Sequence, residues 1–503
     1  MTDTIDALLR EHAARHGAKP AIIDPQRRIC YRELDTATRE LAAAFVENGI
    51  GKGSRVGLIM PNGVEWARIA FALLRIGAVL VPLSTLSTPR ELTAQLRTAS
   101  VQHLISVEQF RGHRYLATLE TSGLPALRSI STPEQADALT ARPAAASVVE
   151  ALSRGVRPGD PLVVMFTSGS SGPPKGVRHS HGSAIGAVRS GLAARCIDPG
   201  TRLYLPMPFF WVGGFGGGLL SALVAGATLV TEPAPEPVST LRLLEAEQVT
   251  LFRGWPDQAA ALARHLDGVD VDLSTLRPGS LEDLLPAHRR ASQGARAMLF
   301  GMTESFGPYC GFPADTDMPP SAWGSCGRPF AGMQIRIVDT DTGVPVPVGT
   351  VGEIQIRGPH VLRGLCGRSR EEVFTPDYYY PTGDLARLDD AGFLFFHGRS
   401  DDMFKVSGAT VYPSEVAHAL CTLDGVRAAF VTNVPGPGGG QVGAAVVCGT
   451  STTAEALHTA ARTVLSSFKV PTVWRVLASA DAVPRGATGK VDVAGLREML
   501  TRG

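Results

Sequence analysis

A chain of 503 residues, 44% hydrophobic and 19% charged, is long enough to bury large cores and to divide into more than one domain. A formal net charge of +1 with no polybasic run excludes the electrostatic footprint of a nucleic-acid binder, so small molecules are the expected partners. Seven cysteines stand singly with no CxxC pair and the twelve histidines form no HExxH array, which excludes a disulfide framework or a zinc site and suits free thiols in a reducing compartment.

The first residues, MTDTIDALLREHAARHG, carry acids at amphipathic spacing in place of a basic region and an apolar core, so they are not read as a secretion signal and the expected localisation is cytoplasmic. From there helix and strand alternate: helix Leu34 to Glu47, strand Val56 to Met60, helix Val64 to Arg75, strand Val79 to Leu83, helix Arg90 to Thr98, strand His103 to Val107. Glu108 to Asp160 is Ala/Ser/Pro-rich and reads as irregular surface. Leu162 to Phe166, LVVMF, is of buried-strand type and leads into FTSGSSGPPKG, Phe166 to Gly176. There Thr167, Ser168, Ser170 and Ser171 offer hydroxyls, Gly169, Gly172 and Gly176 let the backbone approach closely, and Lys175 adds a mobile positive charge. The segment is not a Walker A motif, because Pro173 and Pro174 precede the lysine and Gly176 follows it. Alone it reads as a solvated linker; at the carboxyl end of a buried strand it reads as a phosphate loop, which makes ATP the first ligand to test.

Strands follow near Leu203, Thr228 and Val249, with helices near Leu241 and Asp257. Phe209 to Val230 carries no charge but six glycines, so a loop at Gly213 to Gly218, a short apolar helix and a strand from Ala227 to Thr231 describe it better than a membrane span. Repeated βα units imply parallel sheets with helices on both faces. Between Met333 and Arg357 the texture changes to strands around a Thr342-Gly343 turn, a small antiparallel or barrel region. Beyond Gly398-Arg399 come helix Ser414 to Leu423, strands Arg427 to Asn433 and Val442 to Cys448, helix Ala454 to Ser466 and strand Thr472 to Leu477. The expected fold class is α/β: a large N-terminal body of two βα-layered sheets plus a small β-barrel region, residues 1–400, then a small α+β C-terminal domain, residues 401–503.

Four further segments, FGMTES (Phe300 to Ser305), YPTGDL (Tyr380 to Leu385), GRSDDMFKVSG (Gly398 to Gly408) and PRGATGK (Pro484 to Lys490), follow the loop in order. Together the five resemble the adenylate-forming superfamily of acyl-CoA synthetases, peptide-synthetase adenylation domains and luciferases, over nearly the whole chain. The resemblance implies ATP, Mg2+ and CoA as cofactors. Attack of a carboxylate on the α-phosphorus of ATP brings two anions together, which calls for a metal ion, cations and oriented donors. On this resemblance Glu304 binds magnesium, Thr303 contacts phosphate, Phe300 with Gly301 meets adenine, Asp384 and Arg399 hold the ribose, and Lys490 bridges the acid and the α-phosphate. It further makes Asp401 a domain hinge and Gly408 part of the channel for pantetheine. Only six of the 48 basic residues are lysines, yet Lys175, Lys405 and Lys490 fall within these motifs, where a compact point charge is not replaceable by a planar fork.

The match departs from the family at two places. Where a Gly-Gly-Ala or Gly-Glu-Ala turn touches adenine, this chain has Pro278-Gly279-Ser280; where Phe-His-Val is usual, it has Phe210-Trp211-Val212, and Trp211 either gates the acid pocket or packs. PFFWVGGFGGG lacks the aspartate that holds an amino acid's ammonium group, so Phe210, Trp211, Gly213, Gly214 and Phe215 are expected to line an apolar, roomy pocket for a fatty or alicyclic acid. No carrier domain follows Lys490, so CoA is the default acceptor; a separate carrier protein, a homo-oligomer and a non-catalytic nucleotide-binding homologue are the other options. No nucleic acid and no transmembrane segment are expected.

Overall fold

A computed structural model of the chain describes residues 3–167, 175–400, 402–406, 409–436, 439–449, 452–486 and 491–502. They form two compact units, Met1–Gln334 with Arg357–Tyr380, and Ile335–Ile356 with Pro381–Gly503.

The first unit is built on two sheets. The seven-stranded sheet runs in the order Gly364–Leu365, Lys175–Ser180, Pro161–Thr167, Val79–Pro82, Arg55–Ile59, His103–Ser106, Ser129–Ser131, parallel from Pro161–Thr167 onward. The five-stranded sheet runs Leu251–Phe252, Arg202–Tyr204, Thr228–Val230, Pro20–Ile23, Arg28–Cys30, parallel except at the last pair. The helix Val64–Arg75 is buried at every residue except Glu65, and one apolar cluster joins it to Val56 and Leu80 of the larger sheet and Ile22 and Leu229 of the smaller. A helix buried on all faces needs such double cover, and its buried charges need partners. Its last residue, Arg75, is fully buried and ties three helices together: it donates to Asp6 on Ile5–His16 and to Asp35 and Thr38 on Tyr31–Glu47.

Two stretches differ from the sequence reading. Glu108 to Asp160 contains the helix Ala145–Gly155, with Val149 in the core, and the edge strand Ser129–Ser131. The glycine cluster is not a loop: Val212–Gly214, a π-helix Phe215–Leu220 and Ser221–Ala225 form one winding segment that ends at Gly226 in the left-handed region, φ 68°. Glycine's low helix propensity is overridden by packing, because a Cβ on Gly214 would lie 2.1 Å from the Pro208 carbonyl oxygen.

The second unit carries a four-stranded sheet in the order Gln334–Val338, Gly352–Arg357, Tyr380–Leu388, Leu394–Arg399, and the expected Thr342-Gly343 turn is tied by Asp339, which accepts from the Thr342 amide. Its last hundred residues hold the sheet Val426–Gly436, Gly439–Cys448, Val473–Leu477, with helices Pro413–Leu420, Ala454–Val464 and Val493–Thr501. The last of these was not anticipated; Asp492 caps it by accepting from the Ala494 amide. No helix among the described residues is long and apolar enough to cross a membrane.

Candidate active site

The strands Pro161–Thr167 and Lys175–Ser180 pair antiparallel with Thr167 opposite Lys175, so the two ends of the proposed phosphate loop are held side by side. Ser168, Gly169, Ser170, Ser171 and Gly172 lie outside the described residues, as do Asp401, Gly408 and Lys490.

Thr303 and Glu304 occupy a 3-10 turn that follows the strand Phe300–Met302. Phe306, left-handed at φ 54°, and Gly307 turn the chain back into Gly307–Gly311. Gly301 is required by the closeness of this hairpin, since a Cβ there would meet the Gly307 oxygen at 2.1 Å. The Ser305 hydroxyl donates to the Gly307 carbonyl at 2.7 Å and locks the turn.

Three further contacts position Glu304, which is only 6% exposed. Its carbonyl accepts from the Leu362 amide at 2.7 Å, and its carboxylate accepts from the Tyr380 hydroxyl at 3.1 Å. From the loop-bearing strand, the His179 ring nitrogen Nε2 reaches the Thr303 carbonyl at 2.8 Å. A carbonyl can only accept, so His179 is the Nε2–H tautomer. Burial pushes its pKa down to about 4, with the Thr303 hydrogen bond acting weakly the other way. The same imidazole meets the Phe306 ring edge-on at 4.9 Å, and Phe306 meets Phe215 at 6.0 Å. The hairpin of Pro161–Thr167 and Lys175–Ser180, the Thr303–Glu304 turn and the glycine-rich helix are thereby one continuous packed assembly. Sequence reasoning missed His179 and gave Tyr380 no role, although both lie inside or beside the quoted motifs.

Phe300 stands beside Tyr309, edge-on at 5.6 Å. Pro278-Gly279-Ser280 runs along the strand Leu251–Phe252: the Leu281 amide donates to the Phe252 carbonyl at 3.0 Å, and the Ser280 hydroxyl accepts from the Phe252 amide. In the acid-side segment Phe215 is fully buried against Trp66, at 5.7 Å, and Phe210 is buried beside Trp211, whose ring meets Trp255 at 5.5 Å. Gly213 and Gly214 press on Met207 and Pro208, so they are sites of close packing and add no room to a pocket.

Within the second unit, Asp384 and Arg399 face each other across adjacent strands, joined at 3.1 Å. Asp384 is 8% exposed. Thr-Gly-Asp is not a free turn but a kink inside the strand Tyr380–Leu388: Gly383 is left-handed at φ 72°, its amide donates to Glu353, and the Thr382 hydroxyl donates to the Ile354 carbonyl. Among the described residues no three His, Cys, Asp or Glu side chains gather as a metal cage. The single buried carboxylate of Glu304 instead suits a magnesium ion that keeps its waters and is held largely by substrate phosphates.

A family model described as AMP-binding enzyme matches residues 9–366. The chain is 32% identical to a (7a-methyl-1,5-dioxo-octahydro-1H-inden-4-yl)propanoyl:CoA ligase of Mycobacterium tuberculosis, covering 95% of each chain. It is 30% identical to a feruloyl-CoA synthase of an Amycolatopsis species, covering 95% of this chain and 94% of that one. In fold it is similar to an anthranilate CoA ligase in complex with anthranoyl-AMP, TM-score 0.81 at 23% identity over 99% and 97% of the two chains. It is also similar to the O-succinylbenzoate CoA synthetase of Bacillus subtilis with ATP and magnesium, TM-score 0.79 at 22% identity over 98% and 99%.

Proposed function

The chain belongs to the AMP-binding enzyme family, and from that premise we propose that it is an ATP-dependent acyl-CoA synthetase, an acid–thiol ligase whose acid is hydrophobic and ring-bearing. One observation carries the reading: the buried Glu304 accepts from the Tyr380 hydroxyl while the adjacent Thr303 carbonyl accepts from His179 of the loop-bearing strand, so a carboxylate able to hold a metal ion is tied to the strand that bears the proposed phosphate loop. The relatives' alicyclic and aromatic acids, and the apolar rings of Phe210 and Trp211, support the choice of acid.

In the first half-reaction a carboxylate oxygen of the acid attacks the α-phosphorus of ATP, the bond to the β-phosphate oxygen breaks, and pyrophosphate leaves. Thr167, Ser168, Gly169, Ser170, Ser171, Gly172 and Lys175 would cradle the phosphates, Thr303 would donate to one of them, and Lys490 would hold the acid carboxylate against the α-phosphate. Glu304 would hold magnesium, which supplies charge neutralisation to the phosphates when bound. Asp384 and Arg399 would fix the ribose, and Phe300 with Gly301 would flank adenine. In the second half-reaction the CoA sulfur attacks the acyl carbon, AMP leaves with the bonding pair, and the thiol proton passes to solvent or AMP. Rotation of residues 401–503 about Asp401 would remove Lys490 and admit pantetheine past Gly408. All seven cysteines are free, which supports a reducing, cytoplasmic setting.

The test is acid-dependent ATP–pyrophosphate exchange together with CoA-dependent AMP release, over acetate, octanoate, benzoate, an alicyclic propanoate and a free amino acid. Exchange with the amino acid alone, or no exchange with any acid, rejects the reading.

A further inference from the structure

Two arginines lie beside the acid segment without a carboxylate partner among the described residues, and they differ in how their donors are used. Arg195 is 6% exposed and makes four hydrogen bonds: it donates to the Val188, Gly191 and Gly217 carbonyls and to the Ser221 hydroxyl. Val188 and Gly191 close the helix His181–Ser190, whose carbonyl end favours a cation. Arg195 is thus a clamp between that helix and the π-helix. Burial and the positive charge of Arg253 push its pKa down to about 10.

Arg253 has no such employment. It directly follows the strand Leu251–Phe252, its amide donating to the Tyr204 carbonyl at the end of the neighbouring parallel strand, and among the described residues its side chain makes one hydrogen bond, to the Gly279 carbonyl at 2.6 Å. A guanidinium has five donors. Burial lowers the pKa of Arg253 as well. The residue is partly exposed, and its other guanidinium nitrogens are not among the buried ones that lack a partner, so these donors reach solvent and are open to a ligand.

Its place is the crevice beyond the carboxyl ends of parallel strands, where ligands of α/β sheets bind. From Tyr204 the chain runs directly into Pro206, Met207 and Pro208, against which Gly254, the residue after Arg253, is packed at Pro206. Trp255, one residue further, meets Trp211. The guanidinium itself is tied to Gly279 and lies close enough to Arg195, the clamp on the π-helix, for their charges to interact, so its spare donors stand at the edge of the segment expected to receive the acid. No charge was anticipated there, because the arginine comes from a different strand.

We propose that Arg253 binds an oxygen acceptor carried by the substrate acid away from its reacting carboxylate, so that the acid is a ring-bearing molecule with a ketone or a second carboxylate rather than a plain hydrocarbon acid. This rests on the acyl-CoA synthetase reading and narrows its substrate. Arginine forms strong hydrogen bonds to such oxygens, paired ones to a carboxylate, and a site built to donate disfavours an analogue that lacks the acceptor.

The experiment compares cyclohexanepropanoate, 3-(4-oxocyclohexyl)propanoate and 3-(4-carboxycyclohexyl)propanoate, by kcat/KM for CoA ester formation and by calorimetric titration of each acid into the protein. At least one oxygenated acid is expected to exceed the hydrocarbon acid by about tenfold or more, the scale of one hydrogen bond to a charged group; which of the two does so identifies the acceptor. In Arg253→Met the ratio is expected to fall to about one. A hydrocarbon acid equal or superior to both oxygenated acids in the wild-type protein overturns the proposal without any variant, and so does a preference that survives in a folded Arg253→Met. A binding preference without turnover of any acid supports the arginine's role and counts against the ligase reading alone.

Discussion

Substituting phenylalanine for His179 separates two effects that neutral pH combines. The imidazole donates from Nε2 to the Thr303 carbonyl, and its Nδ1 is buried with no hydrogen-bond partner among the described residues. Protonation would add a donor there with nothing to accept it, which is why burial holds the pKa near 4. The folded pKa lies below the unfolded value of about 6.5, so the unfolded chain takes up a proton first, and stability present above that value is lost as pH falls toward 4. At ~1.4 kcal/mol per unit, acidification from pH 7.5 to 5 removes ~2 kcal/mol through this one residue. His179→Phe keeps an aromatic ring against Phe306 but loses the hydrogen bond, costing ~1–2 kcal/mol at pH 7.5. The expected outcome is that wild type leads at pH 7.5 and the lead vanishes or reverses at pH 5. Equilibrium denaturation followed by tryptophan fluorescence reads this, because Trp66 reports on the same core. A lead of the same size at both pH values would show that His179 is not held neutral, and the account of this turn would be wrong.

Lys490→Ala is expected to abolish adenylate formation while sparing thioester formation from supplied acyl-adenylate; equal loss in both half-reactions, measured separately, refutes the rotation. Asp401→Pro should do the reverse, keeping pyrophosphate exchange and losing acyl-CoA output, because proline fixes φ where a hinge must change it. Normal acyl-CoA output from the folded variant would move the hinge elsewhere. Tyr380→Phe removes the hydroxyl that holds Glu304 and is expected to raise the magnesium concentration needed for half-maximal adenylation by about tenfold; an unchanged magnesium titration would mean that this hydroxyl does not orient the carboxylate. Among unsubstituted apolar acids, kcat/KM should rise with each buried methylene by ~0.8 kcal/mol until the pocket fills, and a preference for acetate in that series rejects an apolar pocket.

How far the sequence reached depends on how local each signal was. Val64 to Arg75 was legible to the residue, since apolar residues at helical spacing begin at Val64 and Gly77, left-handed at φ 77°, closes the segment. The Thr342-Gly343 turn was equally clear, because Asp339 supplies the acceptor that such a turn needs. The glycine cluster was misread because propensity speaks for a loop, whereas Gly214 exists to let a helix touch the Pro208 carbonyl, a contact visible only in three dimensions. Thr-Gly-Asp looks like a turn for the same reason: Gly383 is indeed left-handed, but the strand resumes on both sides of it. The Tyr380–Glu304 and His179–Thr303 bonds join residues 76 and 124 positions apart, and no periodicity encodes such pairs.

The same distinction bears on acid selectivity. If glycines had opened a cavity, size alone would set which acids enter, and enlarging an apolar acid by one methylene gives only modest discrimination. Here the glycines are filled by Met207, Pro208, Leu205 and the Phe306 ring, so the acid segment is a packed helix whose glycines add no space of their own. Its aromatic edge, Phe210 with Trp211 and Trp255, can hold an apolar ring by contact, but contact of that kind is tolerant of chemical detail. A directional donor at the same edge is what converts tolerance into choice, and Arg253 is the charged group there whose hydrogen-bonding capacity the fold leaves largely unused, while Arg195, one layer behind, has spent its own on holding the helix in place.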